Sequence, residues 1–469
     1  MLTYVLEKKR SEALYENLGE NLRRDILSGV LKPGERLPSK RAFARNLGIS
    51  VITVENAYLA LEDEGLIVSR PRSGFFVAEA TERRKQAVPQ SAPERIDLPV
   101  PSGEKLIADF SSSGNTPESF PFGAWSRIMR TLLSTGRRQL LEPPPSGGAL
   151  VLREALCAHL RDFHGMQVSP GQIIVGAGTE YLCGLIVRLL GTELLYGTEN
   201  PGYGSFAAVC RSYGVRTAPL GLDEDGLKPE ELERAGCDAV HVSPARQFPT
   251  GAVMPLSRRY ALLSWAAAKA GRFVIEDDYE SDLRIGGRPL PPLQSADVSG
   301  RVIYVSTFTK TLASTVRISY MVLPADLAKR FYEKLSFCQS TVPALEQYTL
   351  ARFIESGGYE KHLIRLRGAL KARRDQLLAL ISQGPLKGLC TVAGSDAGLH
   401  LLLRLQRHPD PQKVCAKALE LGVRIRPLAD FYTGAAPEDA SRVFVLNYSA
   451  VPSEALPQAA KALNVAFAI

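Results

Sequence analysis

Over the first seventy residues, apolar positions recur with a helical period. Leu14, Leu18, Leu22 and Ile26 fall every four residues, one face of an amphipathic helix that ends at Ser28-Gly29. The turn LKPGERLPS follows, and Ser39 is placed to cap a short helix over KRAFARNLG that Gly48 breaks. Ser50 or Thr53 caps a third helix, whose buried face is Val54, Ala57, Tyr58 and Leu61. GLIVSRPRSGFFV then reads as a two-stranded hairpin whose tip carries Arg70 and Arg72. Residues 78–108 break the pattern: TERRKQAVPQSAPERIDLPVPSGEKL is charged, rich in Pro and Ser and poor in aromatics, a partly extended tether. Beyond it, short β-rich runs alternate with helical stretches to Ile469. The strands expected there include QIIVGAG, AVHVSP, RFVIEDD, RVIYVSTF, RISYMVL, LHLLLRL and RVFVLNYS. Continuous apolar strands separated by helices imply a buried, mostly parallel sheet in an α/β domain. The pattern therefore predicts a multidomain chain, with ordered blocks at 11–77 and 109–469 and a linker at 78–108.

The bulk numbers agree with more than one domain, since 469 residues exceed one ordinary core. A 45% hydrophobic and 23% charged composition fits a soluble globular protein. Net charge of +8 favours an acidic partner without naming it. The seven cysteines are scattered, odd in number and never spaced CxxC, which argues against a disulfide framework and a zinc site, so no metal is expected. MLTYVLEKKRSEAL lacks the apolar core of a signal peptide, and no run of about eighteen apolar residues appears. A cytoplasmic location without membrane contact is expected.

Three helices followed by a basic-tipped hairpin describe an α+β winged helix-turn-helix, whose third helix would enter the DNA major groove. A small helical protein-interaction domain is the bland alternative, but turn, helix and wing all fall in order. Residues 12–77 resemble the DNA-binding domain of the GntR family of bacterial transcription regulators, above all in PGERLPSKRAFARNLGIS, TVENAYLALEDEGL and SGFFV. The resemblance puts Ser39 and Arg41 at the DNA backbone and base edges, with Lys40, Arg45, Ser50, Thr53, Arg70 and Arg72 as further contacts. Two positions depart from the family: Val51 stands where an arginine is usual, and Glu55 where some members have another. Each loss removes a contact worth roughly 1–3 kcal/mol if it read a base.

In the second block, IVGAGTEYL sets a glycine-rich turn between an apolar strand and a helix, where backbone N–H groups bind anions. RFVIEDDYESD is an apolar strand ending in acids, the end at which open α/β sheets bind ligands. VSTFTKTLASTVRIS places Lys310 among hydroxyls, with Arg317 seven residues on. Singly, each signal reads as an ordinary turn, strand end or solvated lysine. In this order they supply what pyridoxal 5'-phosphate requires: an amine for its aldehyde, an acid for its pyridine nitrogen, and donors for its phosphate.

This block resembles the fold-type I aminotransferases over about residues 109–469, and winged helix, linker and aminotransferase-like domain together resemble the MocR-type subfamily of GntR regulators. The resemblance implies Lys310 as the Schiff-base lysine, Asp277 at the pyridine nitrogen, Tyr279 at the phenolic oxygen and Tyr203 stacked on the ring. It implies Gly178, Thr179, Thr307 and Arg317 at the phosphate, with Glu180 where relatives often have glutamine. Three departures stand out. Phe248 precedes the proline of SPARQFPTG, LLEPPPSGG lacks the enzymes' cross-dimer tyrosine, and Val445 takes the place of their carboxylate-gripping arginine. Arg442, Arg424 and Arg426 lie close enough in sequence to substitute, so Arg442 and Arg426 are expected at an effector.

The leading expectation is a transcription regulator that binds double-stranded DNA as a head-to-tail homodimer and senses the cofactor, or its aldimine with an amine or amino-acid effector. The alternatives are a working aminotransferase with an appended domain, or a half-reaction on some amine where the departure at the carboxylate arginine prevents turnover, and a DNA-binding protein whose second domain has lost the cofactor and only dimerises.

Overall fold

The computed structural model describes residues 3–4, 13–79 and 106–468, apart from 113, 286–289 and 394–397. It divides into two compact units, Met1–Ser102 and Gly103–Ile469. Most of the predicted linker, residues 80–105, lies outside the described residues. At its ends, Ala78 N–H donates to Leu66 O at 2.9 Å and Ala108 belongs to a strand.

The first unit holds helices α1 (Leu14–Ser28), α2 (Lys40–Leu47) and α3 (Val51–Asp63) and strands β1 (Ile67–Arg70) and β2 (Gly74–Val77). Leu18, Leu22 and Ile26 of α1 meet Val54, Ala57, Tyr58 and Leu61 of α3 in one core that includes Phe43 and Val77. Gly29 and Gly48 end α1 and α2 in the left-handed region, at φ +82° and +68°. The wing pairs antiparallel with Ile67 opposite Val77 and Arg70 opposite Gly74. Tyr58 OH donates to Pro38 O at 2.9 Å, tying α3 to the turn before α2.

The second unit contains β3 (Ala108–Asp109), β4 (Ile173–Gly176), β5 (Tyr196–Asn200), β6 (Thr217–Asp223), β7 (Gly226–Leu227), β8 (Ala239–Val242), β9 (Phe273–Asp278), β10 (Val302–Thr307) and β11 (Ser319–Val322). It continues with β12 (Cys390–Ala393), β13 (His400–Leu405), β14 (Val423–Arg424), β15 (Arg426–Pro427) and β16 (Val443–Asn447). The main sheet has eight strands in the order β4-β11-β10-β9-β8-β5-β6-β7. Strands β6, β5, β8, β9 and β10 are mutually parallel; β11 runs antiparallel between β10 and β4. Both faces are buried. Ile174, Ile303, Val305 and Met321 pack with Leu182 and Ile186 of the helix Thr179–Leu190, while Ile173, Tyr304, Tyr320 and Val322 face the opposite core.

By apolar content alone, LHLLLRL and RVFVLNYS are expected in the large sheet. They form instead, as β13 and β16, a separate antiparallel sheet in the order β12-β13-β16-β15, because apolar content marks a buried strand without naming its partner. Strands β5 and β6 escaped the pattern altogether: YGTEN ends in polar residues, and TAPLGLD holds a proline. Among the described residues no helix is long and apolar enough to cross a membrane.

Candidate cofactor cleft and nucleic-acid interface

Sheet topology gathers segments far apart in sequence. Parallel β9 and β10 end side by side, with Val305 opposite Asp277. Ser319, at the start of β11, stands opposite both Thr307 and Gly176. The ends of β4, β9 and β10 therefore share one sheet edge, the place where open α/β sheets bind ligands. A cavity of about 230 Å³ opens there, lined in part by Thr179, Tyr203, Asp277, Tyr279, Lys310 and Arg317.

One side of the cleft is built around Asp277, whose residue is 6% exposed. Its Oδ2 lies 3.5 Å from His241 Nε2, and the His241 ring stacks on Phe206 at 4.5 Å and 15°. Asp277 Oδ1 and Tyr279 OH are buried and, among the described residues, have no hydrogen-bond partner. Leaving such a group unpaired costs about 1–3 kcal/mol, and both of these residues line the same cleft. Burial, then the carboxylate of Glu280, holds the Tyr279 phenol well above its ordinary value, which keeps it a donor. The backbone at Lys310 is pinned by Asn115 Nδ2, which donates to Lys310 O at 2.8 Å and Leu312 O at 3.0 Å. Burial pulls the Lys310 ammonium below 10.5, against the opposing fields of Glu280 and Asp277. An amine so placed gives up its proton more readily and becomes nucleophilic.

At the other side, Gly178 takes φ +100° just before the helix Thr179–Leu190, and Arg317 takes φ +50°. A Cβ on Gly178 would sit 2.1 Å from Arg317 Nη2, so only glycine permits this approach. Arg317 Nη2 lies 3.1 Å from Glu180 Oε2, and Tyr203 OH donates to Glu180 Oε1 at 3.4 Å. Although burial pushes it up, the Glu180 carboxyl sits below its ordinary range, held by its own backbone N–H at the helix start and by Arg317. Thr307 Oγ1 accepts from Thr309 N at 3.1 Å and from Ser319 Oγ at 2.8 Å. A helix start, hydroxyls and a guanidinium thus line one side of the same cleft, the kind of donor set that suits an anion.

Sequence reasoning missed part of the site. Arg246 Nε lies 2.8 Å from Glu280 Oε1, both side chains buried. His400 Nε2 sits 3.0 Å from Pro249 O, and burial lowers it to about 3. Phe248 packs edge-on against Tyr279, His400 and Phe431. A signal existed for His241, a histidine inside the apolar run AVHV; the Arg246–Glu280 pair left none. The expected effector arginines are not brought to the cleft. Arg442 Nε donates to Asp439 Oδ1 at 2.7 Å, Arg426 lies 3.9 Å from Asp430 and over the Phe431 ring at 4.4 Å, and Arg424 lies 3.3 Å from Asp109. Val445 is buried with Leu402 and Val443 in a small apolar cluster that Phe248 and Phe431 flank.

In the first unit, Ser39 caps α2 by accepting from Ala42 N at 3.3 Å, and Ser50 caps α3 by accepting from Thr53 N at 3.1 Å. Ser50 Oγ and Thr53 Oγ1 also share a 2.8 Å hydrogen bond. Arg41, Arg45 and Arg72 are exposed, Arg72 at the wing tip with φ +61°. Arg70 stacks over Phe76 at 4.6 Å and lies 3.6 Å from Glu79. Lys40 is drawn to Glu55, 2.6 Å away, and over Phe75. Exposed arginines around two capped helix starts and a wing are suited to the phosphates of a duplex.

Residues 14–77 match the family model for bacterial regulatory proteins of the gntR family, and residues 121–463 that for aminotransferase class I and II. The probable rhizopine catabolism regulatory protein MocR of Rhizobium meliloti is 30% identical over 475 residues, covering 99% of this chain and 95% of that protein. The chain belongs to the MocR-type subfamily of GntR transcription regulators. Another relative of this MocR-type regulator, the uncharacterized HTH-type transcriptional regulator YhdI of Bacillus subtilis, is 33% identical over 93% of this chain and 92% of its own length. Among solved structures, the kynurenine aminotransferase of Pyrococcus horikoshii, in complex with PMP, aligns with a TM-score of 0.68 and 25% identity. That alignment covers 82% of this chain and 98% of the enzyme. Winged helix-turn-helix and mostly parallel aminotransferase fold are thus joined in a transcription regulator whose first unit is a DNA-binding domain.

Proposed function

We propose that this MocR-type regulator holds pyridoxal 5'-phosphate in the cleft through Lys310 and reports an amine-bearing effector to its DNA-binding domain. The observation that carries this reading is the pair of buried, unpaired atoms, Asp277 Oδ1 and Tyr279 OH, in the same cleft as the Lys310 amine. Asp277 Oδ1 would accept from a protonated pyridine nitrogen, with His241 holding the other oxygen. Tyr279 would donate to the ring's phenolic oxygen, and Tyr203 would cover the ring. The N–H groups after Gly178, with Thr179, Thr307 and Arg317, would take the phosphate, and Arg317 would then leave Glu180. When bound, the group supplies an electrophilic carbon for amines and an electron-withdrawing ring.

In this reading residues 11–77 bind operator DNA, residues 78–108 tether them, and residues 109–469 bind cofactor and effector and pair head-to-tail as a homodimer. Ser39, Lys40, Arg41, Arg45, Ser50, Thr53, Arg70 and Arg72 form the DNA face. An effector acts by binding unequally to two arrangements of the paired winged helices. The completeness of Lys310, Asp277 and Tyr279 also favours a working aminotransferase. Against turnover stand Val445 in an apolar cluster and the engagement of Arg442 and Arg426 outside the cleft.

Full-length protein supplied with pyridoxal phosphate is expected to absorb visible light, and Lys310→Ala to lose that absorbance while retaining operator binding. A colourless wild type overturns the proposal. Multiple-turnover transamination of amino donors would assign the cleft to catalysis instead.

A further inference from the structure

Outside the cleft, the helix Leu150–His164 sets two histidines against the short turn Ser281–Leu283. His164 Nε2 lies 3.1 Å from Asp282 Oδ1, and His159 Nε2 lies 3.5 Å from Asp282 Oδ2. One ligand atom from each of the three residues falls within 4.8 Å of the others. Nitrogen and oxygen ligands about 2.0–2.1 Å from a tetrahedral zinc ion are roughly 3.4 Å apart. Side-chain shifts on the order of 1 Å would therefore close this set around an ion.

The second, independent observation is His159 itself. Its side chain is 1% exposed, and neither ring nitrogen makes a hydrogen bond among the described residues. An ion pair between His164 and Asp282 accounts for His164, whereas His159 has only longer carboxylate contacts, 3.5 Å to Asp282 Oδ2 and 4.0 Å to Glu360 Oε1. We propose that His159 Nε2, His164 Nε2 and Asp282 Oδ1 bind a divalent transition-metal ion of the zinc class.

The surroundings suit that assignment. Glu360 Oε1 is 4.0 Å from His159 Nδ1, the position of the outer carboxylate that orients a metal-bound imidazole, and Glu360 Oε2 is buried without a partner. Tyr359 OH donates to Asp282 Oδ2 at 2.8 Å, which leaves Oδ1 for the ion. Arg367 Nε donates to Asp282 O at 2.7 Å and fixes the turn. Two carboxylates offset the charge of a divalent ion, and two imidazoles select zinc, nickel, cobalt or copper over magnesium and calcium. Asp282 follows Asp277 by five residues, and Tyr359 OH also reaches Thr311 Oγ1, next to Lys310, at 3.0 Å. An ion here would tie the segment bearing Asp277 and Tyr279 to the helix Leu150–His164.

Full-length protein prepared without a polyhistidine tag, stripped by chelator and titrated with zinc chloride tests the proposal. Elemental analysis after dialysis is expected to find one zinc per chain, and zinc to raise the melting temperature by several degrees. His159→Asn and Asp282→Asn are each expected to lose the stoichiometric zinc and the thermal shift, with the far-ultraviolet dichroism of the wild type. Should either variant misfold, the zinc-edge X-ray absorption of the wild type decides alone: two imidazoles and no sulfur support the site. Sulfur ligation, zinc retained in both folded variants, or no zinc bound by the wild type at micromolar concentration overturns it.

Discussion

Lys40 Nζ lies 2.6 Å from Glu55 Oε1, so the first basic residue of α2 is tied to α3. Glu55 stands where some GntR relatives carry an arginine, and it both withholds a cation and occupies another. Glu55→Gln should release Lys40 to a phosphate. Operator affinity is expected to rise several-fold, with the slope of log K against log salt steeper by about one. An unchanged slope would show that Lys40 already reaches the DNA past Glu55. Arg41→Ala, at an exposed position, should weaken binding by about 1–3 kcal/mol if it reads a base edge.

Gly178 and Arg317 form the tightest test of the anion cradle. A Cβ at Gly178 would lie 2.1 Å from Arg317 Nη2 and 3.0 Å from Glu180 Oε2, and the residue also holds φ +100°. Gly178→Ala should cost about 1–3 kcal/mol in strain alone and push the guanidinium from the proposed phosphate. Pyridoxal phosphate affinity is expected to fall at least tenfold by equilibrium titration of the visible absorbance. Arg317→Lys, which keeps charge but loses the planar fork, should fall less. Equal affinity in Gly178→Ala and wild type would remove Arg317 from the phosphate site.

Much of this architecture was legible because local chemistry and topology agree. The four-residue period of α1, the Ser39 and Ser50 caps and the glycine stops at 29 and 48 specify the winged helix locally. In the sheet, the apolar runs of β8, β9 and β10 mark central parallel strands, and their ends carry Asp277 and Thr307. Partnership between distant segments was not legible. The second sheet of β12, β13, β16 and β15 depends on which strands meet, and a run such as LHLLLRL fits either sheet. Arg246 and Glu280 are ordinary charged residues in sequence; only the fold buries them together. The same holds for Arg442 and Arg426, near the site in sequence but engaged with Asp439 and Asp430 in space.

His400 gives the pH dependence a definite sign. Burial first, then the positive field of Arg246, lowers its folded-state pKa to about 3, while it titrates near 6.5 when unfolded. Between those values the unfolded chain binds more protons, so this residue's contribution makes stability rise with pH and fall on acidification. His400→Gln removes that contribution. Relative to wild type, the variant should gain about 2 kcal/mol between pH 7 and pH 5. Urea denaturation at both pH values checks this, and a difference between the two proteins that does not change with pH would contradict it.

Arg246 and Glu280 are no more than 6% exposed on their side chains, and a Cβ at Gly398 would strike Arg246 Nε at 2.2 Å. The pair is locked by backbone on one side and by the cleft wall on the other. Breaking a buried ion pair leaves an uncompensated charge, at about 3–5 kcal/mol, whereas replacing both members with apolar groups is often neutral. Arg246→Met alone should therefore destabilise the second unit strongly, and Arg246→Met with Glu280→Leu should recover most of the loss. The double-mutant cycle measured by urea denaturation gives the coupling directly. A double variant as unstable as the sum of the singles would mean that the two residues hold the cleft through separate partners.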